Sequence, residues 1–314
     1  MILVISYPDE DHTVAVLRRL SERHQRFVLV DLASLPAQAR LSAEWSPSGP
    51  SGFQYCSAAG TFDLADAKVG WWRRIRPHVL SCELTDPRWQ AFALSETSQA
   101  VNGVLDSLPC VWINPRKADE IAHRKPYQLT VARRLGMAIP ETLVTNDPDR
   151  ARTFIEGLPP RQVVCKAFVA MLESWRETRL VTPDDLHRVE GVKYAPLIFQ
   201  EFVEGVDLRI IVVGQRIFTV QIDARQTRYP IDMRMVIGES TTSAVELPKR
   251  VVDQIHNLME VLGLQYGAID MKLTDSGEYL FLEVNPAGQW LFVERLTGLP
   301  ITAAMADLLI EHNA

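Results

Sequence analysis

Asp270, Glu283 and Asn285 carry two carboxylates and an amide oxygen, the hard donors that a magnesium ion shares with water and nucleotide phosphates. They can act together only if one surface collects them. Residues 267–274 and 278–285 both read as strands, and Asp275-Ser-Gly277 between them has turn chemistry. With Ser276-Gly277 as a two-residue turn, Asp275 pairs with Glu278 and Asp270 falls opposite Glu283. Ile269, Met271, Leu273, Leu280, Leu282 and Val284 then form an apolar face, and Asp270, Lys272, Glu283 and Asn285 a polar one. A three-residue loop would set Asp270 opposite Leu282 and mix the faces, so period-two alternation selects the first register. A solvated sheet face would account for a lone Asp/Glu pair. Here Asn285-Pro286 follows the pair and two lysines suited to a nucleotide precede it.

Those lysines are Lys166, inside the otherwise apolar strand pattern of residues 161–167, and Lys125, just ahead of a helix. A buried lysine needs an anionic partner, which a phosphate supplies. At a helix start the dipole adds to the lysine charge. Gln200-Glu-Phe-Val-Glu-Gly-Val-Asp-Leu-Arg209 offers main chain and apolar side chains to an adenine and a carboxylate to ribose hydroxyls. Arg209 and Arg234 can neutralise a transferring phosphoryl group.

The elements that must position these groups alternate strand and helix. Residues 2–5, 13–23 and 27–30 make a β-α-β opening without a glycine-rich phosphate loop. A hairpin with its tip at residues 46–52, a strand over residues 69–77 (or, as the alternative, a binding surface using Arg73, Arg74 and Arg76), a helix over 90–105 and a strand over 110–113 complete a first unit, residues 1–115. A second unit, residues 116–195, holds a helix from Pro126 stopped by Gly136, a strand at 139–144, a short helix at 149–156 and the Lys166 strand. The third, residues 196–314, holds a strand at 197–201, the hairpin 208–213/216–223, a helix at 248–262 closed by Gly263, the metal ribbon and a terminal helix at 301–310. The chain's 314 residues are 47% hydrophobic and 23% charged, enough for several packed cores. A net charge of −6 without a long basic run argues against nucleic acid. No apolar run approaches the roughly 18 residues of a membrane span. The four cysteines lack metal or redox spacing, which suggests reduced thiols in a cytoplasmic protein.

The order lysine, lysine, Gln-Glu hinge, Asp-x-Arg, then Asp and Glu-x-Asn resembles the ATP-grasp superfamily. Within it, Trp71-Trp-Arg-Arg74, Trp112-Ile-Asn-Pro115, Ile198-Phe-Gln-Glu-Phe202, Asp232-Met-Arg234 and Glu283-Val-Asn-Pro-Ala-Gly-Gln-Trp290 are similar to the microviridin-type peptide ligases that make graspetides. The resemblance implies an α/β (α+β) ATP-grasp fold: an N-terminal βαβ domain, a small central lid and a C-terminal antiparallel sheet. It implies that Lys125 and Lys166 hold ATP phosphates and that Glu201, Phe202 and Val203 present main chain to adenine. Asp207 would take the ribose, with Glu204 as the competing choice. Arg209 and Arg234 would meet the terminal phosphates. Asp270, Glu283 and Asn285 would hold two Mg²⁺ ions, with Glu283 bridging. Residues 167–178 contain no glycine, unlike the lid loop of many ATP-grasp enzymes.

The implied reaction activates an Asp or Glu side chain of a ribosomal precursor peptide as an acyl phosphate. A Thr or Ser hydroxyl, or a Lys amine, then closes an ω-ester or ω-amide ring. Asp232 is a candidate base. Arg176 and Arg179 on the lid are candidates for gripping a leader ahead of the acidic core, and Arg73, Arg225 and Arg228 for the acceptor carboxylate. The expected partners are that peptide and a second copy of the chain in a homodimer, with no nucleic acid and no membrane. Two competing functions stand beside it: a ligase acting on a free amino acid, small acid or protein terminus, which shares all the ATP residues, and a non-catalytic binding module, which predicts a loss among the metal and phosphate residues where none is missing.

Overall fold

The computed structural model describes residues 1–47, 49, 52–158, 160–168, 178–229, 231 and 238–313. Arg176, Asp232, Arg234 and most of the 167–178 lid loop lie outside the described residues.

The first segment begins with β1 (Ile2–Ile5), α1 (Asp11–Glu22) and β2 (Phe27–Val30). It continues with β3 (Arg40–Glu44), β4 (Gly52–Ser57), β5 (Gly60–Asp63), β6 (Val69–Trp72), α2 (Pro87–Ser107) and β7 (Val111–Ile113). The parallel sheet runs β2-β1-β6-β7, and β3-β4-β5 form a small antiparallel one. All four residues of β1 are buried, as expected for a strand covered on both faces. Gly70 is required in β6, since a Cβ there would stand 2.5 Å from the Trp112 ring.

Next come α3 (Arg116–Ala122), α4 (Lys125–Arg134), β8 (Thr142–Thr145), α5 (Pro148–Gly157), β9 (Val163–Lys166), β10 (Arg179–Leu180), α6 (Pro183–His187) and β11 (Leu197–Glu201). The middle sheet runs β10-β9-β11-β8. Pairing therefore differs from the expected boundaries at both ends. β11 is a central strand of the middle sheet, not the start of the third unit. α3 and α4, expected in the middle unit, put Ala122, Val131 and Ala132 into the same core as Leu208, Ile210 and Met271.

The last segment holds β12 (Val206–Val213), β13 (Arg216–Asp223), β14 (Thr241–Ala244), α7 (Lys249–Leu262), β15 (Tyr266–Leu273), β16 (Tyr279–Asn285), α8 (Leu291–Thr297) and α9 (Ile301–Asn313). Its antiparallel sheet runs β14-β13-β12-β15-β16. One face packs on α4 and α7, where Val251, Ile255, Leu258, Met259 and Leu262 form a buried stripe closed by Gly263 at φ +68°. Another core joins the first and last segments: Ile2, Val16, Leu20 and Trp71 pack with Val220, Trp290, Met305 and Leu309.

The metal ribbon reaches the expected pairing by a different route. Asp270 is opposite Glu283, but Leu273 pairs with Tyr279 and Met271 with Phe281, with a bulge between Asp270 and Met271. The turn is the three-residue one: Thr274 N donates to Glu278 O at 3.0 Å, and Gly277 adopts φ +83°. Asp275 therefore does not pair with Glu278. Leu282 is the extra residue of the bulge, and it restores the register that the longer turn would have lost. The expected apolar face is corrected accordingly. Tyr279, Phe281 and Val284 share it with Ile269, Met271 and Leu273, whereas Leu280 pairs with Lys272 on the polar side.

Candidate active site

Sheet register assembles the site. Arg209 of β12, Asp270 of β15 and Glu283 of β16 are direct cross-strand neighbours in one row. One step along, Asp207 pairs with Lys272. Both couples are ion pairs: Arg209 Nη1 to Asp270 Oδ1 at 2.8 Å and Lys272 Nζ to Asp207 Oδ1 at 2.9 Å. Opposite charges alternate across the face, which stabilises adjacent strands and places two carboxylates side by side. Lys125, at the start of α4, forms an ion pair with Glu283. Burial works to lower the Arg209 pKa, but the adjacent Asp270 carboxylate outweighs it and the value is raised. Among the described residues no three His, Cys, Asp or Glu side chains cluster as a metal site. Asp270 and Glu283 stand side by side, whereas Asn285 pairs with Ala268 and its Oδ1 accepts from the Ala287 amide at 3.0 Å; the row thus offers a magnesium ion two neighbouring carboxylates, and phosphates and water would have to supply the rest of its shell.

Beside this row lies a cleft of about 660 Å³, counted with its mouth open to solvent. Lys166, Glu201, Phe202, Val203, Asp207, Asp270 and Glu283 line it together. Lys166, half-buried at the end of β9, donates to Gln200 Oε1 at 2.7 Å. Within the hinge, the amides of Glu201 and Phe202 already donate to the carbonyls of Glu141 and Gln162, both at 2.8 Å. The Glu201 carboxylate takes Arg161 at 3.2 Å. Val203 lies past the end of β11, and its main chain has no strand partner among the described residues. Asp207 lines the cleft; Glu204 is exposed and does not. Leu282, turned to this side by the bulge, supplies an apolar surface with Val164 and Leu208.

The loop after β16 is pinned from below by buried polar groups. Arg73, 2% exposed, donates to the carbonyls of Ala287 at 2.6 Å and Gly288 at 2.8 Å and lies 3.4 Å from Glu10. Its guanidinium also stacks over Trp290 at 4.8 Å. Glu10 lies 2.9 Å from His12 Nδ1, and His12 Nε2 accepts from the amides of Trp290 at 3.0 Å and Leu291 at 3.3 Å. This fixes the neutral tautomer with its proton on Nδ1. Burial lowers the His12 pKa, against the opposing Glu10 bond. Burial alone would raise Glu10, but His12 and Arg73 bring it far below the usual carboxylate range. Arg209 holds Gln289 O at 3.0 Å and Tyr266 Oη holds Gly288 O at 2.7 Å. A Cβ on Gly288 would meet the Ala268 Cβ at 2.3 Å, so only glycine allows this approach.

Of the other arginines singled out in the sequence, Arg73 thus holds the loop, and its buried guanidinium is committed to main chain and Glu10. Arg225 pairs with Asp223 at 2.7 Å and Asp275 at 3.0 Å, Arg228 with Glu239 at 3.0 Å, and Arg179 with Asp185 at 2.6 Å. Sequence reasoning missed the roles of Lys272, Gln200 and Leu282 in the cleft and of Glu10 and His12 beneath the loop. Lys272 had a signal, as it shares strand parity with Asp270. Glu10 and His12 had none, because nothing local says that the first helix start meets residues 287–291.

Residues 1–120 match the family described as MvdD pre-ATP grasp domain, and residues 130–289 match the ATP-grasp domain. A search of curated proteins finds no match. Among solved structures, the macrocyclase MdnC bound with precursor peptide MdnA from Microcystis aeruginosa MRC is 28% identical, with a TM-score of 0.87 over 99% of each chain. A Chryseobacterium gregarium RiPP-associated ATP-grasp ligase, in complex with ADP and a leader and core peptide, is 26% identical, with a TM-score of 0.88 over 99% of this chain and 96% of that one. The macrocyclase MdnB from the same Microcystis strain is 29% identical, with a TM-score of 0.84 over 98% of each chain.

Proposed function

Because the chain belongs to the ATP-grasp family of ligases, we propose that it activates Asp or Glu side chains of a ribosomal precursor peptide with ATP and closes ω-ester or ω-amide rings. The observation that carries this reading is the end-to-end likeness to macrocyclases, first unit included. In the reaction a peptide carboxylate oxygen attacks the γ-phosphorus of ATP and ADP leaves. A Thr or Ser hydroxyl or a Lys amine then attacks the acyl carbon, and phosphate departs with the carboxyl oxygen.

Each residue has a task in this scheme. Lys125 and Lys166 bind phosphates, and Lys125 would exchange its Glu283 partner for one of them. The Glu201 and Phe202 carbonyls and the Val203 main chain hold adenine, and Asp207 orients the ribose. Asp270, Glu283 and Asn285 would hold magnesium, in our reading two ions bridged by Glu283. Bound magnesium draws charge off the phosphates. Arg209 pairs with Asp270 and fixes the direction of its carboxylate. Arg234 and Asp232 keep their proposed roles as phosphate contact and base.

The proposed peptide partner has a leader and an acidic core. An apolar groove on the middle unit, lined by Val181, Val189, Val192, Leu197 and Phe199 together with Arg179 and Arg188, suits the leader, and Arg176 keeps its proposed part in gripping that segment. Arg225 and Arg228 remain candidates for the acceptor carboxylate. No helix among the described residues is long and apolar enough to cross a membrane. The four cysteines are free and the reaction draws on ATP, which supports a cytoplasmic setting. A homodimer is part of the proposal. The test is incubation with ATP, magnesium and the peptide encoded beside the gene, read by mass. Loss of one water per ring is expected; ADP release without water loss from peptide would overturn the reading.

A further inference from the structure

A second cleft, about 1650 Å³ counted with its space open to solvent, is bordered by the end of β16. Asn285 and Ala287 line its wall together with Arg74, Arg76, Arg116 and Lys117. The two clefts share no residue, yet Glu283 walls the first and Asn285, two positions along the same strand, walls the second.

The cations of this wall fall into two kinds. Arg76 pairs with Asp31 and stacks on Tyr7 at 4.7 Å, and Arg116 pairs with Asp106 at 2.8 Å and stacks on Trp72 at 4.8 Å. Arg74 and Lys117 have no hydrogen bond or ion pair among the described residues. The acids nearby are already held: Asp106 by Arg116, Asp119 by His123 and Glu120 by Arg124. Three residues of the wall also carry a buried polar atom without a partner among the described residues: Arg73 Nε, Arg116 Nε and Asp119 Oδ2. The floor includes Trp72 and the half-exposed Ile75, an apolar surface that suits a peptide chain better than a free inorganic anion.

Resting on the ligase reading above, we infer that this cleft binds the carboxylates of an acidic peptide segment. Arg74 and Lys117 are their counter-charges, and one carboxylate at a time passes Asn285 toward the first cleft. An open cleft with unpartnered cations holds several acids in waiting and lets the peptide slide as rings close.

The test uses two fluorescein-labelled synthetic peptides, one rich in Thr, Asp and Glu, the other with Asn and Gln in place of the acids. Affinity is measured by anisotropy with saturating Mg-ADP. Arg74→Ala/Lys117→Ala should weaken the acidic peptide about tenfold and leave the amide peptide unchanged. Arg74→Lys/Lys117→Arg should restore the acidic peptide, and ADP affinity should hold in both variants. Equal affinity of wild type and Ala variant for the acidic peptide overturns the inference, as does an equal loss for both peptides. Water loss at sub-saturating precursor separates the two proposals. If the Ala variant cyclises as well as wild type, the cleft assignment fails and the ligase reading stands. If wild type discriminates the peptides through Arg74 and Lys117 but never removes water, the ligase reading fails instead.

Discussion

Arg209 and Asp270 are cross-strand neighbours joined at 2.8 Å, and the next strand places Glu283 directly beside Asp270. The carboxylate proposed to meet the metal is thus held by the sheet before any ligand arrives. Both partners are largely buried, at 8% and 18% side-chain exposure. Arg209→Ala should therefore cost about 3–5 kcal/mol of stability, since it strands a carboxylate. Asp270→Asn should keep the fold with a loss of about 1–3 kcal/mol and abolish ADP formation. Urea unfolding and coupled ADP assays check both; sustained turnover in Asp270→Asn removes Asp270 from the metal site.

Lys125→Ala and Lys166→Ala should each weaken ADP binding by about tenfold or more, through loss of a charge-assisted phosphate contact. Titration calorimetry measures this. Unchanged affinity in both variants would sink the phosphate assignment.

The ribose assignment separates Asp207 from Glu204. Wild type should prefer ATP over 2′-deoxy-ATP, and Asp207→Asn should lose that preference while Glu204→Gln keeps it. Asp207→Ala should also destabilise the chain by about 3 kcal/mol, because it leaves Lys272, 6% exposed, without its partner. Discrimination retained in Asp207→Asn would move the ribose contact elsewhere.

Acid should loosen the loop over residues 287–291. His12 has a folded pKa below its ordinary 6.5, so below that pH the unfolded chain binds the extra proton and the folded chain resists it. Stability should fall as pH drops from 6.5 toward the folded value, with a slope of at most about 1.4 kcal/mol per pH unit for this group. The depressed Glu10 adds a second decline below its ordinary 4.5. His12→Gln should flatten the first decline. A denaturation midpoint that moves equally in wild type and variant between pH 7.5 and 5.5 would refute the assignment.

Gly288→Ala should push the loop off the sheet, because the new methyl would fall 2.3 Å from the Ala268 Cβ and 3.2 Å from Arg209 Nη2. A cost of about 1–3 kcal/mol and reduced turnover are expected. Gly277→Ala has open space around it and strains only its backbone. It is the control.

The sequence carried the Asp270–Glu283 pairing, the β12–β13 hairpin and the α7 helix with its Gly263 stop, since each rests on a local pattern. It misjudged the ribbon turn because two irregularities cancel. The Asp275-Ser-Gly277 loop shifts register by one, and the bulge at Leu282 shifts it back. Alternation cannot reveal a bulge whose extra residue is itself apolar. The place of β11 in the middle sheet was equally hidden, since Leu197–Glu201 looks the same whichever sheet receives it. The Glu10–His12–Arg73 support joins parts of the chain far apart in sequence, and only tertiary packing brings them together.

The core shared by α1 and α9 has a consequence for synthesis. A ribosome delivers β1 and α1 first, but the Val16 and Leu20 face of α1 is completed by Met305 and Leu309. Arg23, just after α1, also waits for Asp307. The nascent first segment must hold an open apolar face until α9 emerges, so this core closes only after every segment between α1 and α9 has been made.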